Sequence, residues 1–377
     1  MTLDRSPEGR LASVFVWLLV AGVAAAPSIA LSTILYGLAF IAFLLLRPRV
    51  PLNAPLAFLI LLALFSLASV CAAVQPQRAW GHLGEVANLA VFPMLLAGMA
   101  LRPARWVLPW VFLGQTALLG LWGLVEFGLK VPSDPAWRLR GPMSHYMTYS
   151  GILVILFCLL AAYALLGQER RLRRLSAVAA GLALVPMILN LTRNAWVGVL
   201  VAAVLLSLAR RKAWALGIAA AAVALLVLVP NPAGKRFLSI FDAADPTNRD
   251  RVAMWKAGWA MALERPATGQ GPGAVREDYL RFKREGAVRD WVQHLHSNPV
   301  HLLAERGFPA LAAYLGFVGA VLWTGWRRRD SWTGLGALLA CGGIFAAGLF
   351  EYNFGDTEVL WLTLAASALG TGDGDGL

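Results

Sequence analysis

The sequence predicts an all-α polytopic membrane protein with about 12 transmembrane helices and one helical loop domain outside the membrane. Hydrophobic residues make up 59% of the 377 residues and charged residues only 14%, whereas globular domains carry about 25% charged residues. Apolar runs of membrane-crossing length recur along the chain. The net charge of +12 is typical of basic cytoplasmic loops in such a protein, and does not by itself indicate nucleic-acid binding.

Nine apolar spans precede the longest polar segment, and three follow it. The predicted spans are 11–26, 28–46, 55–74, 83–101, 106–129, 146–166, 176–191, 195–209, 213–229, 308–326, 332–350 and 357–370. The first run resembles a signal peptide, but a second run follows at once, so we expect a retained first helix. The Gly and Asp content of the C-terminal tail predicts disorder. The predicted organisation is transmembrane helices 1–9 in residues 1–229, a loop domain outside the membrane in 230–300, transmembrane helices 10–12 in 301–370 and a tail in 371–377.

The distribution of basic residues predicts the orientation of these helices. With the N-terminus in the cytoplasm, the inner loops carry sixteen Lys and Arg residues and the short outer connections carry five. Because cytoplasmic loops are enriched in basic residues, we expect both termini inside and the 230–300 segment outside. All five histidines then lie on the outer side, with Glu85 and Glu126 near the outer ends of their spans. Each such group alone is equally consistent with a side chain that reaches for water, but together they favour chemistry at the outer leaflet.

The outer segment 230–300 contains two predicted helices joined by a glycine-rich turn. Apolar residues recur at helical spacing at Val252, Trp255, Trp259 and Leu263. This spacing predicts an amphipathic helix on the membrane surface. The turn at 269–273 lets the backbone approach another group closely, but it lacks the residues of a phosphate-binding loop or a dinucleotide-binding fold. A second, basic helix is predicted at 274–289, with a face that is either solvated or bound to lipid headgroups.

The stretch 294–307 closes this segment and holds three of the five histidines. Asn298, which is followed by proline, is a good N-cap, so a helix is predicted to begin there. His296 would precede the helix N-terminus, where the dipole favours a neutral imidazole that can accept a proton. His301 and Glu305 are four residues apart and share one helix face. The same pattern is also common at the start of helices that have no catalytic role. This stretch alone therefore does not decide between a structural and a functional role.

Together these motifs resemble the signature of the O-antigen ligase and O-antigen polymerase superfamily. The residues that carry the resemblance are Thr192-Arg193, Arg251 with Trp255, the loop from Pro266 to Gly273, and His294-Leu295-His296-Ser297-Asn298 with Glu305 and Gly307. The family motif usually reads His-x-His-Asn, with Glu and Gly nine and eleven residues after the second His. This chain departs from it at Ser297, with the amide one place later at Asn298.

The resemblance implies a GT-C-like, metal-independent glycosyltransferase of the bacterial inner membrane, with its active site at the periplasmic face and no cofactor. Its donor would be a glycan on polyprenyl (undecaprenyl) pyrophosphate. A ligase passes that glycan to lipid A-core, whereas a polymerase, the alternative, passes it to another lipid-linked unit. Membrane lipid is an implied partner and nucleic acid is not. A lipid or polysaccharide transporter is less consistent, because such proteins place polar or broken helices near the midplane, and the span centres here are nearly free of charge.

The resemblance also identifies candidate site residues. Arg193 and Arg251 are expected to bind the pyrophosphate, since guanidinium groups match phosphate oxygens. His296 is the first candidate base and His294 the second. The expected supporting residues are Glu305, Gly271 and Asn298. No metal site is expected, because the three cysteines lie far apart and no Asp-x-Asp motif lies outside the cytoplasm. The outer carboxylates that can in principle bind a divalent ion are Asp134, Glu351, Asp356 and Glu358.

Overall fold

The computed structural model describes residues 6–100, 103–134, 137–211, 216–217, 220 and 232–371, and its regular elements there are all helical. The helices are α1 (Pro7–Ala24), α2 (Ile29–Leu46), α3 (Ala54–Cys71), α4 (Pro76–Trp80), α5 (Leu83–Ala87), a 3-10 turn (Asn88–Ala90), α6 (Val91–Ala100), α7 (Pro103–Lys130), α8 (Tyr146–Leu166), α9 (Arg170–Leu189), α10 (Arg193–Arg210), α11 (Pro232–Leu238), α12 (Pro246–Glu264), α13 (Ala274–Phe282), α14 (Asn298–Arg327), α15 (Trp332–Gly348) and α16 (Thr357–Thr371).

Nine helical stretches in the described ranges are long and apolar enough to cross a membrane. They are α1, α2, α3, the segment from α4 to α6, α7, α8, α9, α10 and α14. The predicted spans at 332–350 and 357–370 correspond to α15 and α16, which are shorter than 18 residues. The predicted span at 213–229 lies almost wholly outside the described residues, as does the predicted tail from 372 onward. The chain is therefore an all-helical polytopic membrane protein, and the count of twelve spans stays a prediction.

The predicted span at 83–101 is broken in the structure. Two short helices, a 3-10 turn and α6 follow one another between Pro76 and Ala100. His82 and Glu85 lie in the broken part and bond to each other, with 2.8 Å between His82 Nδ1 and Glu85 Oε1. This segment departs from a simple span because its polar side chains are used in contacts with the outer part of the molecule.

Helix α15 is the centre of the membrane-embedded core and packs against α8, α10, α14 and α16. The contact with α10 is a backbone approach between Gly198 and Gly343. A Cβ on Gly198 would lie 2.7 Å from the Gly343 carbonyl oxygen, so only glycine fits. Small residues at helix crossings let membrane helices pack closely without a hydrophobic driving force. This packing fixes the end of α15, and the loop 349–356 begins there.

The outer segment has a small apolar core of its own. The residues of this core are Met254, Ala257, Met261, Ala274, Val275, Tyr279, Phe282, Val292, Leu295 and Ala304. Val252, Trp259 and Leu263 remain largely exposed on the other face of α12, as the helical spacing predicts. Helix α13 ends at Phe282 rather than at the predicted 289. The chain turns at Gly286, whose φ of 88° is left-handed.

Candidate functional site

Two histidines of the outer segment meet Glu351, which lies in the loop between α15 and α16. His296 Nδ1 lies 3.0 Å from Glu351 Oε2, and His294 Nδ1 lies 3.5 Å from Glu351 Oε1. The backbone N–H of Tyr352 also donates to Oε1, at 3.1 Å. The Glu351 side chain is buried, whereas those of His294 and His296 keep 26% and 16% of their surface exposed. A fixed carboxylate therefore presents two imidazoles to the outside.

The surroundings determine the charge of this cluster. Burial would raise the pKa of Glu351, but the hydrogen bond from His296 and nearby positive groups bring it to about 2. An ionised carboxylate only accepts hydrogen bonds, so His296 Nδ1 donates to it. Burial lowers the pKa of His294 to about 4, although the negative charge of Glu351 acts to raise it. His294 is therefore neutral at pH 7.

The backbone beside the site is strained. Among the described non-glycine residues, those with a left-handed backbone are Arg47, Leu191, Arg211 and His296. The two arginines are helix C-caps, where this conformation is common. Leu191 instead precedes the Thr192-Arg193 pair, and His296 is the candidate base. Such a conformation costs about 1–3 kcal/mol and persists only where the surroundings hold it, so both loops are held in fixed positions.

Arg193 begins α10 and is held by the outer segment. Its Nη1 donates to the carbonyl and hydroxyl oxygens of Ser239, at 3.1 and 3.0 Å. Its Nη2 lies 3.9 Å from Asp245 Oδ1, and the side chain is buried. The outer end of α10 is thereby tied to the connection between α11 and α12.

Arg193 lies within electrostatic range of three other arginines, and we call the four the arginine group. Its members are Arg138, Arg193, Arg236 and Arg251. Within the described part of the chain, Arg193 Nη2, Arg236 Nε and Arg251 Nε are buried without a hydrogen-bond partner. Buried donors normally have partners, and several unpartnered cationic donors together favour an anionic ligand.

The arginine group opens onto a cavity of about 290 Å³. Arg193 and Arg251 line it with Asn194, Val197, Ile240, Phe241, Asp242, Ala243, Asn248, Val252, Trp255 and Phe350. An open groove of about 440 Å³ shares Val252 and Trp255 with this cavity and follows the exposed face of α12 to Leu263. A cationic cavity that continues as a mostly apolar groove matches a ligand with an anionic head and an apolar chain.

Arg251 connects this cavity to the histidine cluster. Burial lowers the pKa of Arg251, and the facing charge of Glu351 opposes that effect. His145, the N-cap of α8, also faces Glu351 and His296; burial lowers its pKa. The structure therefore brings both predicted arginines and both predicted histidines to one region of the molecule.

The predicted N-cap at Asn298 is wrong by one residue. Ser297 is the N-cap of α14, and its Oγ accepts from the Val300 N–H. Asn298 is the first helical residue, and its buried amide donates to Asn353 Oδ1 at 2.7 Å and accepts from the Phe354 N–H at 3.0 Å. Asn298 therefore holds the loop that carries Glu351, which is a supporting position.

Glu305 bonds to residues outside the histidine cluster, although its partner His301 stacks on Tyr352, with 3.7 Å between the ring centroids. Its Oε2 is 3.3 Å from His301 Nε2, and its Oε1 accepts from the Val275 N–H at the start of α13, at 3.1 Å. The next residue, Arg306, pairs with Glu85, which also bonds His82. We call His82, Glu85, His301, Glu305 and Arg306 the buried network after its three buried members, His301, Glu305 and Arg306; the side chains of His82 and Glu85 are partly exposed.

Gly271 also supports the fold, and the structure does not place it beside the histidines. Its N–H donates to the Glu305 carbonyl at 3.0 Å, and a Cβ there would clash with Ala73. Its φ of 101° is accessible mainly to glycine. The glycine-rich turn thus closes on α14 and α3, and its close approach is to protein backbone.

One group of side chains in the described residues can hold a metal ion. The ligand atoms of His294, His296 and Glu351 all lie within 4.8 Å of one another. Of the outer carboxylates that the sequence offered as ligands, only Glu351 belongs to this group. Asp356 accepts from Thr148 Oγ1 at 3.0 Å, and burial together with the charge of Glu351 raises its pKa to about 7.

Sequence reasoning missed the roles of several residues. Glu351 appeared only as a possible metal ligand, and Arg138 only as a charge in an outer connection, while Arg236 and Tyr352 were not singled out. The position of Glu351 could have identified it, because it directly follows a predicted span. Glu85 and Glu126 also lie near the ends of spans, where an ionisable side chain suggests a functional site. No local pattern distinguishes the two arginines from other outer basic residues.

The comparisons with known proteins agree with the motifs. Residues 178–315 match the family model described as O-antigen ligase, and no curated protein matches the chain. The matched range holds Arg193, Arg251, both histidines of the cluster and Glu305. The resemblance is therefore confirmed over this range: residues 178–315 carry an O-antigen ligase domain, which supports a function of the O-antigen ligase or polymerase type.

Proposed function

We propose that this protein is an O-antigen ligase that moves a glycan from polyprenyl pyrophosphate to lipid A-core at the periplasmic face of the inner membrane. One observation carries the proposal. Arg193 and Arg251, each with a buried donor that lacks a hydrogen-bond partner in the described residues, line one cavity, and Arg251 faces the His296–Glu351 pair. This arrangement supports the proposal of a pyrophosphate-binding cavity beside a base.

The donor would occupy the cavity and the groove together. Its pyrophosphate would take the unpartnered donors of Arg193 and Arg251, because guanidinium forks match phosphate oxygens and stay charged when buried. Its isoprenoid chain would follow the groove past Trp255 and Trp259. The exposed apolar face of α12 would rest on the membrane surface.

His296 would act as the base. Its Nε2 takes the proton of an acceptor hydroxyl, and the oxygen attacks the anomeric carbon of the donor glycan. The bond from that carbon to the pyrophosphate oxygen breaks, and the arginine group stabilises the charge that develops on the leaving group. Glu351 holds the imidazole by Nδ1 and stabilises the imidazolium, so it is a positioning residue.

The proposed reaction uses no metal. The leaving pyrophosphate is stabilised by arginine side chains, which supply the charge that a divalent ion supplies in other transferases. We expect transfer to continue in EDTA. Loss of transfer on chelation, with recovery on adding magnesium or manganese, would contradict this part of the proposal.

The decisive experiment supplies the purified protein with a lipid-linked glycan and one of two acceptors. Transfer to lipid A-core supports the ligase, and transfer only to a second lipid-linked unit would identify a polymerase. Movement of intact lipid-linked glycan across a vesicle membrane, without transfer to either acceptor, would overturn the enzyme assignment.

The orientation can be tested in intact cells. The proposal requires the outer segment to face the periplasm. In a variant that lacks Cys71, Cys158 and Cys341, single Ala243→Cys and Ala287→Cys substitutions should react with a membrane-impermeant thiol reagent. Labelling only after permeabilisation would reverse the orientation and contradict a periplasmic site.

A further inference from the structure

The cluster that holds the proposed base has a second chemical property. His294 and His296 direct Nδ1 to different oxygens of Glu351, at 3.5 and 3.0 Å. Ligands about 2.0–2.2 Å from a tetrahedral zinc ion lie about 3.3 Å apart. The two His–Glu separations fall on either side of that value, and all three ligand atoms lie within 4.8 Å of one another, so the side chains would close around an ion by moving about an ångström.

The donor set selects the kind of ion. Two imidazoles and one carboxylate form one of the ligand sets that zinc uses in open sites, whereas magnesium and calcium prefer oxygen ligands. The fourth position would face outward, because His294 and His296 both keep part of their surface exposed. The backbone N–H of Tyr352 fixes the carboxylate from behind, as partners of metal ligands usually do.

We propose that His294, His296 and Glu351 form a binding site for zinc or a similar transition-metal dication, and that the bound ion inhibits the protein. The inhibition rests on the proposed function. A metal on Nδ1 of His296 replaces the hydrogen bond to Glu351 and takes the negative charge that would stabilise the imidazolium. The base then loses its partner, and transfer stops until the ion is removed.

Arg251 provides an independent check on the site. Its positive charge faces Glu351 and therefore opposes binding of a dication. Arg251→Ala should bind the metal more tightly than the unmodified protein, by roughly tenfold for a repulsion of about 1.4 kcal/mol. A substitution that only loosened the fold would weaken metal binding instead.

The test uses the full chain in detergent and cobalt(II) as a spectroscopic probe. We expect one cobalt per chain, visible absorption typical of tetrahedral coordination, and displacement by zinc. His294→Ala and Glu351→Gln should each weaken binding at least tenfold, with His294→Gln as a substitute if either fails to fold. The matched control is His82→Ala, because His82 also pairs with a glutamate, at 2.8 Å, and it should bind cobalt normally.

The outcomes separate this inference from the proposed function. No cobalt binding, or equal binding in all variants, would overturn the site whatever the protein catalyses. Stoichiometric binding without any loss of glycan transfer would overturn the inhibitory role. Cobalt binding in a protein that shows no transfer to any acceptor would remove the proposed function and keep the metal site.

Discussion

The histidine cluster and the buried network pair the same residue types at similar distances. His296 and Glu351 lie 3.0 Å apart, and His301 and Glu305 lie 3.3 Å apart. In the buried network the neighbouring arginine, Arg306, is paired directly with Glu85 through Nη2, while its Nε is buried without a hydrogen-bond partner in the described residues. Beside the histidine cluster, donors of the arginine group are buried without partners in the described residues. Among the described residues, Arg236 and Arg251 have no ion-pair partner, and this difference in the neighbouring arginines, more than the His–Glu pair itself, distinguishes the histidine cluster from the buried network.

Replacing one histidine from each region should give opposite results. His296→Ala should lower turnover roughly 10²–10⁴-fold, the usual contribution of a general base, with donor binding and thermal stability nearly unchanged. His301→Ala should instead lower stability more than the transfer rate per folded molecule, because His301 is buried. Turnover, donor binding and thermal unfolding should be measured on both purified variants. A folded His296→Ala protein with near-native turnover would transfer the base assignment to His294.

The arginine group should be the next most sensitive part. Arg251→Ala should lower transfer roughly 10²–10³-fold, since one lost donor to a developing oxyanion costs about 2.7–4 kcal/mol. Arg251→Lys should recover only part, because an ammonium lacks the planar fork. The matched control is Arg249→Ala, an exposed arginine on the same helix, which should keep its activity. Equal loss in both alanine variants would mean that charge on α12, rather than this guanidinium, matters.

The buried network should respond in stability. Glu305→Ala should lower the free energy of unfolding by about 3–5 kcal/mol, because it leaves buried partners without a carboxylate. Glu264→Ala is the control, since its pair with Arg281 is partly exposed and worth about 1 kcal/mol or less. Thermal unfolding in one detergent compares the two. A stable Glu305→Ala protein that is inactive would place Glu305 in the reactive site after all.

The smallest effect concerns pH. Burial raises the pKa of Asp356 to about 7 from an ordinary 3.8, so between about pH 4 and 7 the folded state holds a proton that the unfolded state lacks. Stability should therefore fall as the pH rises through this range, by at most about 1.4 kcal/mol per pH unit. Asp356→Asn should flatten this dependence and be more stable at pH 8, whereas the exposed Asp290→Asn should leave it unchanged. An unaltered slope in Asp356→Asn would assign the titration elsewhere.

The sequence predicts much of the fold because its signals are local. Apolar runs gave the helices, and a four-residue spacing placed His301 beside Glu305. The break in the span before Val91 was not predicted, because the polar residues of this segment contact α14, which is distant in sequence. The start of α14 was misplaced because serine and asparagine are both good caps.

The site was predictable only where its residues share a short stretch. His294 and His296 are adjacent to a helix start and match a family motif. Glu351 lies 55 residues away from His296, and Arg138 and Arg236 join Arg193 through folding alone. The glycine-rich turn predicts a close approach of its backbone to another group without identifying that group. In the structure the group is the backbone of α14. Tertiary contacts of this kind leave no periodicity in the sequence.

The amide of Asn298 has a kinetic consequence. It binds both Asn353 and the backbone of Phe354, so the chain segment that bears Glu351 is attached beside the segment that bears His296. The carboxylate is thereby held next to the imidazole at a high effective molarity. The entropic cost of bringing the two groups together is met during folding and does not recur in each reaction cycle. In the proposed reaction, the amide of Asn298 therefore influences the fraction of time for which the imidazole of His296 is held by Glu351.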